Sequence, residues 1–195
     1  MLGYIYFMAE SQTDEEIIKQ YIDGDDEAFK ELLNRYTKPL YNFVVHFVNK
    51  NDTPDVVSET FIKVWKNVNR FDADKASFKT WIFTIAKNSA MDFLRKKKSL
   101  LFSDIKSGED EEINTFAENI PDESVLPDEA LQKLQDKEVL NDILKDLPPH
   151  YQEVLILHYQ EELTFDEIGK ILDKPLNTVK SQHRRALFMM RQKLD

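Results

Sequence analysis

TFDEIGKILDKPLNTVKSQHRRALFMMRQKL, residues 164–194, spells a short helix, a turn and a longer second helix. Thr164 and Glu167 have the spacing of a capping box, in which a hydroxyl and a carboxylate three residues apart satisfy each other's backbone donors. Ile168, Ile171 and Leu172 supply one apolar face. Asp173-Lys174-Pro175-Leu176 is the turn, and the second helix is expected to open at Asn177, a residue suited to an N-cap. Val179, Ala186, Leu187 and Met190 should face inward. The second helix carries Lys180, Arg184, Arg185, Arg191 and Lys193 and no acidic residue, in a chain of net charge −10. A clean basic helix in so acidic a protein is aimed at a polyanion.

Working outward, the rest of the chain is helical as well. Only four glycines occur in 195 residues, and apolar residues recur at helical rather than alternating spacing, so the expected class is all-α. The absence of cysteine removes disulfides, thiolate nucleophiles and cysteine-type zinc sites. No apolar run approaches the roughly 20 residues that span a bilayer. The opening MLGYIYFMAE is apolar but short and lacks a basic start, so it does not read as a signal peptide. Met8 serves as a start codon product as readily as Met1. A reducing cytoplasm fits these features.

Charge is sorted along the chain. Residues 1–60 carry net −7, residues 61–98 net +7, residues 99–130 net −9 and residues 131–195 net −1. The acidic stretch contains SGEDEEINTFAENIPDESVLPDE, with Gly, two Pro and no sustained periodicity. Such composition buries too little apolar surface to order itself, so residues 99–127 read as a flexible acidic linker. Two small helical domains flank it, at residues 10–98 and 128–195.

In the first domain Thr13 and Glu16 form another capping box, ahead of Ile17, Ile18, Tyr21 and Ile22. A long helix follows from Glu27, and Pro39 should kink or divide it. Pro54 suits the first turn of the next helix, whose stripe is Val56, Val57, Phe61, Val64, Trp65 and Val68. The last helix covers about Phe78 to Lys98 and ends in Arg95-Lys96-Lys97-Lys98, where cations also complement the helix dipole. After the linker, Leu131 to Leu144 mark one helix and His150 to Tyr159 another.

Two nucleic-acid signals emerge. Lys180, Ser181, Arg184 and Arg185 lie early in the last helix, where recognition helices meet major-groove base edges; Asn177 and Thr178 sit where donors meet phosphate. The Lys63–Lys98 block interleaves Trp65, Phe71, Phe78, Trp81 and Phe83 with ten cations, the composition of a single-strand track. Aromatics at helical spacing are more often core, so one or two of the five at most are expected on nucleic acid. Asn88 shares the helix that carries the basic end. No catalytic constellation is present: the four histidines, at 46, 150, 158 and 183, are scattered, and no HExxH or glycine-rich phosphate loop occurs. Neither an enzyme nor a cofactor is expected.

DTPDVVSETFIKVWKNVNRF, SFKTWIFTIAKNSAMDFLRKKK and LPPHYQEVLILHYQEELTFDEIGKILDKPLNTVKSQHRRAL, in that order around an acidic linker, resemble a bacterial RNA polymerase sigma factor of the extracytoplasmic-function (ECF) group of the sigma-70 family. The resemblance implies a domain 2 that binds the polymerase clamp and opens the minus-ten element. It also implies a domain 4 that binds the minus-thirty-five duplex and the polymerase flap, and an anti-sigma factor as partner. It places Asp55, Ser58 and Glu59 on the clamp-docking helix. Asn88 falls at an unstacked minus-ten base, and Asp92, Arg95, Lys96 and Lys97 at the basic end beside it. Asn177, Thr178, Lys180, Ser181, Arg184 and Arg185 fall on the duplex-reading face. Two positions depart from the pattern: Leu187 stands where the family often has Arg, and His183 where an aliphatic residue is common, so His183 is expected to be partly exposed. The residues alone also fit a stand-alone two-domain helix-turn-helix regulator.

Overall fold

The computed structural model describes residues 12–101, 144 and 147–194. The expected helix over residues 131–144 and most of the linker lie outside this set, as does the N-terminal MLGYIYFMAE. Among the described residues the secondary structure is entirely helical. The helices are α1 (Asp14–Ile22), α2 (Asp26–Val44), α3 (Thr53–Asn67) with a 3₁₀ turn (Val68–Arg70), α4 (Phe78–Leu101), α5 (Pro149–Leu155) continued by a π turn (Ile156–Gln160), α6 (Phe165–Leu172) and α7 (Leu176–Leu194).

Both capping boxes form: Thr13 with Glu16 opens α1, and Thr164 with Glu167 opens α6. Two features differ from the local reading, the first only in part. Pro39 does not divide its helix, which runs on to Val44. Leu40, Phe43 and Val44 beyond the proline are fully buried, and that apolar face outweighs the hydrogen bond proline withholds. Asn177 does not cap α7, because the helix begins one residue earlier and the Pro175 carbonyl already accepts from Val179 N at 3.1 Å. Proline's fixed φ preorganises the chain for a helix start at that point.

Helices α1 to α4 pack in sequence, α1 on α2, α2 on α3 and α4, and α3 on α4; α6 and α5 each pack on α7. Phe43, Phe78, Phe83, Leu32, Leu40 and Ile82 fill the centre of the first half. Phe43 meets the rings of Phe47 and Phe83 edge-on at 4.9 and 5.2 Å. The two halves do not stand apart: α6 packs against α4, and Val154, Leu157, Ile168, Ile171 and Leu172 belong to the same buried cluster as Phe43 and Phe83. A smaller cluster of Leu144, Leu147, Leu155, Ile156, Ala186, Leu187 and Met190 secures α7.

The turn between α6 and α7 is tight. Asp173 ends α6 in the left-handed region (φ 55°), and Lys174 N donates to the Gly169 carbonyl at 2.9 Å. A Cβ on Gly169 would stand 2.9 Å from the Lys174 carbonyl oxygen, a backbone atom that cannot swing away. Gly169→Ala is therefore expected to destabilise this half by about 1–3 kcal/mol through overpacking, as urea unfolding of the variant would measure.

Candidate nucleic-acid interface

Helix α7 sorts its residues by face. Val179, Ala186 and Met190 are fully buried and Leu187 nearly so, as the spacing predicts. Asn177, Thr178, Lys180 and Arg184 are exposed, and Ser181 and Arg185 half-buried beside them. Leu176 and Asn177 lie in the first turn, where amide hydrogens lack helical partners and suit a phosphate. The six residues singled out in sequence thus share one outward arc, at the helix end that a recognition helix presents to a groove.

The π turn before α6 shapes the inner side of this unit. Glu161 N donates to the Ile156 carbonyl five residues back at 3.2 Å, and this wide turn brings His158 and Tyr159 against α7. His158 stacks on Phe165 at 4.5 Å and meets His183 edge-on at 5.1 Å. The Leu163 carbonyl can only accept, so His158 Nδ1, 2.9 Å from it, carries the hydrogen. His183 Nε2 lies 3.0 Å from the Tyr159 hydroxyl. Partial burial matches the expectation for His183. Burial, and secondarily the neighbouring His158, push its pKa down to about 4.

The folded protein therefore favours the neutral His183 ring. Its contribution to stability is complete above the unfolded pKa near 6.5 and is lost as pH falls from there toward 4, for a total on the order of 3 kcal/mol. The stability difference between the wild type and His183→Leu is expected to change by that amount between pH 7 and 4, as parallel denaturant titrations would record.

On α4, Asn88, Arg95, Lys96 and Lys97 are exposed, Arg95 at 80% and Lys96 at 71%. Asp92 and Lys97 make the closest ties. Asp92 accepts from Arg95 at 2.9 Å and from Lys63 at 3.3 Å, so it orients two cations rather than offering charge of its own. Lys97 reaches back 2.6 Å to Asp52 at the start of α3, which holds the Asp52 carboxyl below its usual range. Of the five aromatics in the basic block, Phe78 and Phe83 are fully buried, and Phe71 and Trp81 cluster with Phe78. Trp65 alone is largely exposed, and it lies on α3.

Trp65 corrects the expected α3 stripe. It is 54% exposed, with its indole nitrogen donating to the Tyr21 hydroxyl at 2.7 Å. At about 100° per residue, Asp55, Ser58, Ile62 and Trp65 fall within one arc opposite the buried Thr53, Val56, Thr60 and Val64. All four are exposed, Ile62 at 50%. Asp55 and Ser58 thus share a face with two large apolar residues that sequence reasoning missed as surface. Glu59 turns to the α3–α4 seam instead, 3.2 Å from Lys63 and 4.0 Å from Lys96. No group of metal-ligating side chains occurs among the described residues. No helix among them is long and apolar enough to cross a membrane.

Comparison with known proteins gives the two halves a common context. The Sigma-70 region 2 family matches residues 32–100, and the Sigma-70, region 4 family matches residues 137–188. The chain is 32% identical over 178 residues to the ECF RNA polymerase sigma factor SigW of Bacillus subtilis, across 91% of this chain and 94% of that protein. It is 30% identical over 188 residues to the ECF RNA polymerase sigma-E factor of Haemophilus influenzae, across 96% and 98%. Among solved structures, CnrH in complex with the cytosolic domain of CnrY superposes with a TM-score of 0.60 at 22% identity, over 94% of this chain and 98% of that one. The sigma factor RpoE in complex with the anti-sigma factor NepR from Bartonella quintana gives 0.58 at 23% identity, over 85% and 96%. These two likenesses are of fold.

Proposed function

The chain belongs to the ECF RNA polymerase sigma factors of the sigma-70 family, and from that premise we propose how its residues divide the work. The protein confers promoter specificity on core RNA polymerase. Residues 10–98 act as domain 2, 99–127 as the acidic linker and 128–195 as domain 4. Helix α7 enters the major groove of the minus-thirty-five element. Lys180, Ser181, Arg184 and Arg185 face base edges and phosphates, and Asn177 and Thr178 seat a phosphate at its first turn. Asn88 captures an unstacked minus-ten base; Arg95 and Lys96 hold the adjacent backbone, with Asp92 and Lys97 fixing the helix end. Unpairing that base costs a few kcal/mol, which capture and backbone contacts offset. The exposed α3 face, Asp55, Ser58, Ile62 and Trp65, docks the polymerase clamp, and Glu59 supports it from the seam. The domain-4 surface meets the flap. The protein works in the cytoplasm as a non-enzymatic subunit, and an anti-sigma factor is its expected regulator.

The observation that carries this reading is the sorting of α7: an outward arc of cations and small polar residues, with no carboxylate, over a fully buried apolar arc. A stand-alone regulator shares that feature but has no use for an exposed basic α4. Transcription of a genomic fragment library by purified core polymerase plus this protein separates the two. Mapped starts that share two spaced upstream motifs are the expected result; duplex binding without core-dependent initiation sinks the proposal. Within that assay, Arg184→Ala is expected to cost about 1–3 kcal/mol, a loss of about 5- to 150-fold, and to relax preference at one upstream position. A loss uniform over all sequences would make Arg184 a phosphate contact.

A further inference from the structure

The exposed Trp65 is not left to turn freely. Its indole nitrogen donates to the Tyr21 hydroxyl at 2.7 Å, across 44 positions of sequence. An indole N–H can only donate, so the Tyr21 oxygen is the acceptor. Tyr21 is the penultimate residue of α1, and its ring lies 5.2 Å from that of Phe29 on α2. Both rings are partly buried and pack against the main core.

Helix α1 is held firmly, which makes Tyr21 a fixed support. Ile17 and Ile18 are buried, and the Thr13–Glu16 capping box closes the first turn. Asp14 accepts from Arg35 Nη1 at 3.1 Å and from the Tyr36 hydroxyl. Arg35 Nη1 also donates to the Gln12 carbonyl at 2.6 Å. Tyr21 precedes residues 32–100, the stretch that matches Sigma-70 region 2. The support for Trp65 therefore comes from outside that stretch.

A tryptophan standing in water has several staggered orientations, and a partner that buries it must select one. The partner must also leave the indole N–H satisfied, because a donor buried without an acceptor costs more than an ordinary hydrogen bond gains. The bond to Tyr21 meets both demands before any partner arrives. Driving water from around it strengthens it further.

We propose that Tyr21 is a positioning residue for polymerase docking. Its hydroxyl holds the Trp65 indole in the orientation that core polymerase buries, and it satisfies the indole N–H inside the closed interface. The docking face is thereby built from α1 as well as α3. Tyr21 acts through Trp65.

The proposal rests on the reading that the α3 face docks the clamp, and the test tells the two apart. The chain has two tryptophans, so the full chain labelled with heavy nitrogen gives one indole N–H resonance for each, and Trp65→Phe assigns them by deleting one. In Tyr21→Phe the Trp65 resonance is expected to shift and to exchange faster with water, while the Trp81 resonance and the melting temperature stay close to wild type. Affinity of Tyr21→Phe for core polymerase is expected to fall about 5- to 10-fold. Trp65→Phe keeps a ring but has no N–H, so adding Tyr21→Phe to it should change affinity less than about twofold. An unmoved Trp65 resonance overturns the proposal. Equal losses in the two backgrounds do so as well, since Tyr21 would then act independently of the indole N–H. Wild-type affinity in Trp65→Ala sinks the docking reading and the proposal with it; a weakened Trp65→Ala beside an unchanged Tyr21→Phe removes only the role of Tyr21.

Discussion

Trp65→Ala is expected to weaken binding to core polymerase by about 2 kcal/mol or more, roughly 30-fold, while leaving the fold nearly untouched. The two halves of that statement come from different observations. Trp65 is 54% exposed, so its removal opens no core cavity, and the hydrogen bond to the Tyr21 hydroxyl is its one strong tie to the domain. A half-exposed Trp beside a half-exposed Ile62 is a large apolar area to leave in water, and such anchors carry most of the energy where they become buried against a partner. Asp55 and Ser58 at the same face form its polar rim. Titration of labelled protein with core polymerase gives the binding loss, and thermal melting gives the control. A large drop in melting temperature with unchanged polymerase affinity would make Trp65 a structural residue and remove it from the docking face.

Phe43→Ala is expected to have the largest effect on stability, about 3–5 kcal/mol of the 5–15 kcal/mol typical of a domain. Phe43 is fully buried on α2 and touches the rings of Phe47 and Phe83. Truncation to Ala leaves a cavity that α4 can fill only by shifting, and α4 carries Asn88 on its outer side. Guanidinium unfolding measures the loss. Because α6 packs on α4 and shares the cluster, unfolding followed by a probe in residues 147–194 is expected to move with it. A transition there that stays put while the first half melts earlier would show that the halves unfold separately.

Much of this was legible in sequence, for reasons that differ by residue. Capping boxes rest on side chains three positions apart, so Thr13 with Glu16 and Thr164 with Glu167 were readable without tertiary information. The buried arc of α7 followed from spacing alone. Pro39 does not divide its helix, a point local propensity misses because it ignores how strongly Leu40, Phe43 and Val44 are buried. Trp65 misled because hydrophobicity ranks it with the core, although it lies about 120° from the centre of the buried arc of α3. Glu59 sits close in angle to Asp55, yet its carboxylate is drawn aside by Lys63 one turn on and by Lys96, a cation whose proximity depends on how α4 crosses α3. Least legible was the packing of α6 on α4, since Thr80 and Glu167, whose side chains hydrogen-bond at 3.2 Å, are 87 positions apart and no local pattern marks either as a partner of the other.

That separation in sequence has a consequence in time. A ribosome adds about 5–20 residues per second, so α6 emerges about 4–17 s after the part of α4 it will cover. Helix formation and collapse take microseconds, so the first half settles long before its cover exists. During synthesis α4 rests on α2 and α3 alone, with its future contact side bare. Each molecule passes once through a first half whose α6-facing side is bare, before the second half is made to cover it.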